Sequence, residues 1–212
     1  AYQYGAEFSD IRKGLDFRSH LGKTAGFLAP HGFWFFWRRF FQFPDIPCDE
    51  FDFDLEADYR GFIKAIGNWQ TYSQKPIFLK ATIANYYFSN IYFNVQNVYV
   101  IYIKRDIYST THSLLRAREL CNGSRDTWWA YKPSDYYRLL TLPPEQQVIH
   151  QYLSINGQIE KQIARIDDSR RIHIDYDTFC SSDRARYEDE IRDKIRADMI
   201  FPSLDISYSK CE

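Results

Sequence analysis

Arg105 and Ser113 stand eight positions apart, on either side of a change in sequence pattern. The run Val98-Tyr99-Val100-Ile101-Tyr102-Ile103-Lys104 is β-branched and aromatic, and it stops at Arg105-Asp106. The next residues, Ile107-Tyr108-Ser109-Thr110-Thr111-His112-Ser113-Leu114-Leu115, suit a helix. The first run reads as a buried parallel strand. Ligands of open α/β sheets bind just past the carboxyl ends of such strands. Arg105 is thus expected where ligands collect, with Ser113 about two turns into the following helix. A guanidinium fork and a hydroxyl near a helix start suit a phosphate group. A plainer reading uses the same residues: Asp106 caps the helix and Arg105 makes a surface ion pair.

These residues need elements to hold them. Lys75-Pro76-Ile77-Phe78-Leu79-Lys80 reads as a second short strand, which ends in a lysine. A helix-like segment, Ala84 to Val95, separates it from the Arg105 strand. Pro143-Pro144-Glu145 opens a long helix through Ile166, with Val148, Tyr152, Ile155, Ile159 and Ile163 on its apolar face. Arg171-Ile172-His173-Ile174-Asp175-Tyr176 gives a third strand, closed by Asp177. The expected fold is therefore a three-layer α/β domain with a short parallel sheet, strands at about 76–80, 97–104 and 171–176. Further elements are a helix from Asp54 to Tyr72, with Leu55, Tyr59, Phe62, Ile63 and Ile66 on one stripe, and an exposed helix at 184–199. In the exposed helix, Glu188–Arg192 and Glu190–Lys194 are spaced to pair. Residues 27–43 form an aromatic block that is buried or lines a pocket. Residues 121–142 form a Trp- and Tyr-rich connection, either an aromatic minicluster that pins a long loop or a cap over a ligand pocket.

This ordered set resembles the sulfotransferase superfamily, over about residues 75–197. In that family a Lys-Pro strand ends in Lys, and another strand ends in Arg-Asp-Pro or Arg-Asn-Pro with Ser eight residues after the Arg. A Pro-Glu-Gln-like helix start and a strand ending in Tyr-Glu-Asp follow. Ile107 stands where the family usually has Pro, and Tyr176-Asp177 stands for the last motif. The resemblance implies a P-loop-like fold and sulfuryl transfer from PAPS (3'-phosphoadenosine 5'-phosphosulfate) to a hydroxyl or amine, leaving PAP. It implies that Arg105 and Ser113 hold the 3'-phosphate. Lys80 would neutralise charge on the transferred group. His31, beside Pro30 at the mouth of the aromatic block, is the candidate base, with Glu50 as an alternative. Thr82 stands where some members carry a His. The Ser-Gly-Thr-Thr-like loop that cradles the 5'-phosphosulfate is not found. Leu21-Gly22-Lys23-Thr24 resembles a Walker motif only at its tail, because Phe17 stands where the first glycine belongs.

Composition bounds the partners. The chain has 212 residues, one domain's worth, and 45% are hydrophobic, enough for a sizeable core. Net charge is −1, which provides no bulk basic field for duplex nucleic acid or acidic lipid. Seventeen Tyr, seventeen Phe and five Trp suit a large core and a stacking pocket for a small-molecule or glycan acceptor. The four cysteines lack metal-ligand spacing and leave compartment and disulfide state open. The longest apolar stretch, Gly26 to Trp37, is too short to span a bilayer. Two alternatives stay beside the sulfotransferase reading. One is a non-catalytic binding module with a degenerate form of the same fold. The other is a P-loop nucleotide phosphotransferase, which needs a Walker lysine loop and Mg²⁺ ligands that the sequence does not display. Oligomeric state is open.

Overall fold

The structure is a computed structural model that describes residues 19–20, 23–24, 32–48, 51–181 and 184–195. Two strands of two residues, β1 (Ser19–His20) and β2 (Lys23–Thr24), pair antiparallel. Then come α1 (Trp34–Phe40), α2 (Tyr59–Ser73), a 3-10 turn at Thr82–Ala84, and α3 (Phe88–Asn94). Strand β3 (Val100–Lys104) leads into α4 (Ile107–Asn122), a short α5 (Tyr136–Leu139) and α6 (Pro144–Ile163). The last described elements are β4 (Arg171–Asp175), α7 (Tyr176–Cys180) and α8 (Arg184–Lys194). The fold is mixed α/β, mostly helical, with few strands.

The parallel sheet has two strands among the described residues, not three. Strand β3 pairs with β4 in parallel, from Val100 against Arg171 to Lys104 against Asp175. Because side chains alternate along a strand, Tyr102, His173, Lys104 and Asp175 share one face. Ile101, Ile103, Ile172 and Ile174 share the other, where Ile172 and Ile174 pack with Tyr187 of α8. Residues 76–80, expected as a third strand, lie in no sheet. Pro76 has no N–H to give to a ladder. The Lys80 carbonyl accepts from the Trp37 indole at 3.1 Å, and Leu79 packs on the aromatic core. This segment is thus held by α1 and the core.

Other boundaries also differ from expectation. The helix expected over 84–95 is a 3-10 turn followed by α3. The helix expected from Asp54 begins at Tyr59, because Asp58 caps it by accepting from Gly61 N–H at 2.8 Å. A Cβ at Gly61 would lie 2.1 Å from an Asp58 carboxylate oxygen, so a larger residue there would make the capping side chain shift. Leu55 therefore precedes the helix and is exposed, whereas Phe62 is buried. In α8, Lys194 pairs with Glu190 at 3.2 Å as the spacing predicts. Glu188 pairs with Arg184, and Arg192 with Asp189.

The larger core is the aromatic block. Trp37, Phe40 and Phe41 from the first block meet Phe43, Phe53, Phe62, Ile83, Tyr87 and Ile91. Phe53 and Tyr87 stack at 4.9 Å, and Trp37 stacks on Phe62 at 5.5 Å. Rings at such offsets gain contact beyond their buried area. Among the described residues, no helix is long and apolar enough to cross a membrane, and no group of three His, Cys, Asp or Glu could hold a metal ion.

Candidate functional site at the carboxyl end of the parallel strands

Both parallel strands end in the same device. After β3, Asp106 caps α4 by accepting from Ser109 N–H at 2.9 Å. After β4, Asp175 caps α7 by accepting from Thr178 N–H at 2.8 Å. Aspartate suits both positions because its oxygen satisfies an amide that the helix leaves unpaired. The bonds to Ser109 hold the Asp106 carboxyl below the usual carboxylate range, and the bonds to Thr178 do the same for Asp175. The helix ends are therefore already served by carboxylates of the chain itself.

Arg105 lies between these caps. Its carbonyl accepts from the Tyr152 hydroxyl of α6 at 2.7 Å. Its guanidinium lies over the Tyr176 ring, 4.9 Å from the centroid. Nε is 3.7 Å from a carboxylate oxygen of Asp177, close enough for an ion pair and too far for a hydrogen bond. Both features of the plainer reading, the Asp106 cap and an Arg105 ion pair, are thus present. They leave the terminal guanidinium nitrogens without a hydrogen bond to any described residue, and the side chain is 41% exposed. Nε itself is buried without a hydrogen bond, and so is the Thr110 hydroxyl in the first turn of α4. Buried polar atoms are nearly always paired. The half-exposed guanidinium, with its terminal nitrogens available, suits a group rich in acceptor oxygens, such as a phosphate.

Helix α6 fixes the strand that carries Arg105. Tyr152, Asn156 and Glu160 fall at i, i+4 and i+8, one stripe of the helix. Besides the Tyr152 bond, Asn156 accepts from the Tyr102 hydroxyl at 2.7 Å, and Glu160 takes Lys104 Nζ at 2.5 Å. Burial, helped by Glu160 and Tyr152, pushes the Tyr102 phenol up, and the Glu160 bond raises Lys104. The sequence stripe expected here, Val148 through Ile163, is real at its two buried ends. Its polar members were not singled out by hydrophobic periodicity.

The expected site residues divide. Ser113 is half-buried on α4, as the spacing predicts. Lys80 is exposed in the extended segment before the 3-10 turn, with no hydrogen bond or ion pair to Arg105 or Ser113. His31 and Glu50 lie outside the described residues. Lys23–Thr24, the tail of the Walker-like stretch, pairs with Ser19–His20 in the small antiparallel ladder.

A second arginine escaped the sequence reading. Arg118, also on α4, is 0% exposed. It donates to the Arg125 carbonyl at 3.2 Å, to Gln147 Oε1 at 2.7 Å and to Gln151 Oε1 at 3.4 Å. Its guanidinium covers the Trp128 ring at 4.7 Å. Gln151 donates onward to the Trp129 and Tyr131 carbonyls, and Gln147 to that of Leu142. This network pins the 123–142 connection to α4 and α6. Burial lowers the Arg118 pKa, with no carboxylate hydrogen-bonded to it.

No family model, curated protein or solved structure matches this chain. A functional reading therefore stands on the residues and their arrangement.

Proposed function

We propose that the chain is a PAPS-dependent sulfotransferase of P-loop-like, three-layer architecture, transferring a sulfuryl group to a hydroxyl or amine of a small-molecule or carbohydrate acceptor. The observation that carries this reading is the Arg105 arrangement. A parallel strand ends in an arginine with available nitrogens, an aspartate caps the next helix, and Ser113 follows eight positions on. Just past the end of the parallel neighbour, Tyr176 and Asp177 of α7 meet the same guanidinium. The sulfotransferase pattern has these pieces in this order.

In this reading Arg105 and Ser113 bind the 3'-phosphate of the donor. The planar, permanently charged fork suits the anchor. Bound PAPS supplies the activated sulfuryl group. Lys80 would counter the charge that develops on the bridging oxygen, and His31 would accept the acceptor's proton. The position of Lys80, outside the sheet and engaged through its carbonyl by Trp37, favours a second reading. In that reading the chain is a binding module that keeps the nucleotide anchor without the transfer chemistry.

Calorimetric titration with PAP, beside Arg105→Ala and with ATP as comparator, tests the proposal. Binding of PAP that weakens by about 2 kcal/mol or more in the variant is expected, the scale for losing a charged hydrogen-bond partner. Equal PAP affinity in both proteins overturns the site, and preference for ATP favours a phosphotransferase. Turnover of PAPS with an acceptor separates the enzyme from the module.

A further inference from the structure

The ion-pair partner of Arg105 is Asp177, an acid on a helix that another residue already caps. Asp177 is about half exposed, and it is the second residue of α7. The cap of that helix is Asp175, so Asp177 is not needed to start it. Nor does it anchor Arg105 rigidly, because at 3.7 Å it makes no hydrogen bond. The Tyr176 ring beneath the guanidinium and the Tyr152 bond to the Arg105 carbonyl already fix the residue. What Asp177 contributes is charge. A carboxylate beside a guanidinium cancels most of its field at a distance, while an exposed pair of this kind costs little to separate.

We propose that Asp177 is a built-in counter-ion for Arg105: it screens the guanidinium from free inorganic anions and yields it to a phosphate group that reaches the terminal nitrogens directly. This regulation rests on the reading of Arg105 as the phosphate anchor. The swap exchanges a loose ion pair for charge-assisted hydrogen bonds, which are short and strong. The carboxylate cannot move far afterwards, because it is built on a capped helix at the strand end. It stays near the bound anion and repels it. Two like charges about 6 Å apart in a half-exposed setting interact on the order of a factor of ten in affinity. The other nearby acids, Asp106 and Asp175, are committed to their helix caps, and Glu160 is taken by Lys104. Asp177 is therefore the acid poised to trade places with a ligand. Binding then depends on what else the ligand offers, so a nucleotide is admitted where a bare anion is held off.

The test uses two probes on the whole chain. Inorganic pyrophosphate is titrated while the Arg105 Nε–H resonance is followed, in wild type, Asp177→Asn, Asp177→Glu and the double variant Arg105→Ala/Asp177→Asn; the double variant is read by calorimetry. Asp177→Asn should bind roughly tenfold tighter than wild type, Asp177→Glu should match wild type, and the double variant should lose the gain. Unchanged or weaker binding by Asp177→Asn overturns the proposal, since it would make Asp177 a positioning residue. A gain that survives in the double variant overturns it as well, and so does an Arg105 resonance that pyrophosphate never moves. PAP titrations on the same variants separate the two claims. A pyrophosphate gain without any PAP binding leaves the counter-ion standing and removes the sulfotransferase reading. PAP binding that needs Arg105, with pyrophosphate binding unchanged by Asp177→Asn, does the reverse. Matching circular dichroism and melting temperatures establish that the variants are folded.

Discussion

Arg105 precedes α4 and Arg118 lies on it, and each lays its guanidinium over an aromatic ring at nearly equal distance, 4.9 and 4.7 Å. Their surroundings are opposite. Arg118 is wholly buried, and its acceptors are neutral: two glutamine oxygens and a backbone carbonyl. Arg105 is half-exposed, faces a carboxylate, and keeps its terminal nitrogens available. A buried charge must be satisfied in place, since solvent cannot rescue it. An exposed one can be lent to a ligand. One residue type thus does structural work at one end of α4 and is open to binding at the other, and local packing decides which.

The sharpest way to break the comparison is to remove each arginine in turn. Arg118→Ala leaves Gln147, Gln151 and the Arg125 carbonyl without their donor and opens a void under Trp128. A loss of about 3 kcal/mol or more is expected, since each buried acceptor left unpaired costs about 1–3 kcal/mol. Arg118→Lys should recover little, because a single ammonium cannot span three acceptors. Urea denaturation reads both, and a loss under 1 kcal/mol for Arg118→Ala would mean that the network is not what holds the 123–142 connection. Arg105→Ala should barely move that denaturation midpoint while removing PAP binding. If both variants lost stability equally, the contrast between a structural and a lendable guanidinium would fail. Tyr152→Phe comes next. It strips the hydroxyl from the Arg105 carbonyl and should cost about 1 kcal/mol, the usual worth of one such bond. It should also weaken PAP binding without abolishing it.

The contrast also marks what the sequence discloses. Arg105 was legible because it ends an apolar run, and a change of period is visible one residue at a time. The Asp106 cap and the parallel pairing of the 100–104 and 171–175 runs follow from the same kind of local signal. Residues 76–80 have a similar apolar run, yet they join no sheet. One partner, Trp37, comes from 43 residues upstream of Lys80, and pattern reading does not register such a competitor. Arg118 was illegible for a related reason. In sequence it is one of two arginines on a helix with a charged neighbour, Glu119, which reads as a solvated face. Its burial is decided by glutamines 29 and 33 positions away and by a loop that folds back on it. Polar residues that are satisfied at long range carry no periodic signature.

The smallest predicted effect concerns the acids that frame Arg105. Asp106 and Asp175 are held below the ordinary carboxylate range by their bonds to Ser109 and Thr178. A carboxyl whose folded pKa is depressed stabilises the fold at pH values above its unfolded pKa, about 3.9 for aspartate. That stabilisation is lost as pH falls through the folded value, because the folded state must then take up a proton and give up the charged cap. In wild type the urea midpoint should therefore drop as pH falls below about 4, with these two caps among the causes. Asp106→Ala/Asp175→Ala should start lower at neutral pH and fall less steeply through the same window, the two curves converging at its acid end. Arg118 makes the opposite prediction. A guanidinium stays protonated throughout this range even when burial lowers its pKa. The difference between wild type and Arg118→Ala should therefore hold constant across it. Parallel curves for the aspartate pair and converging ones for Arg118 would reverse the roles assigned here, placing the titrating support under the connection and not under the site.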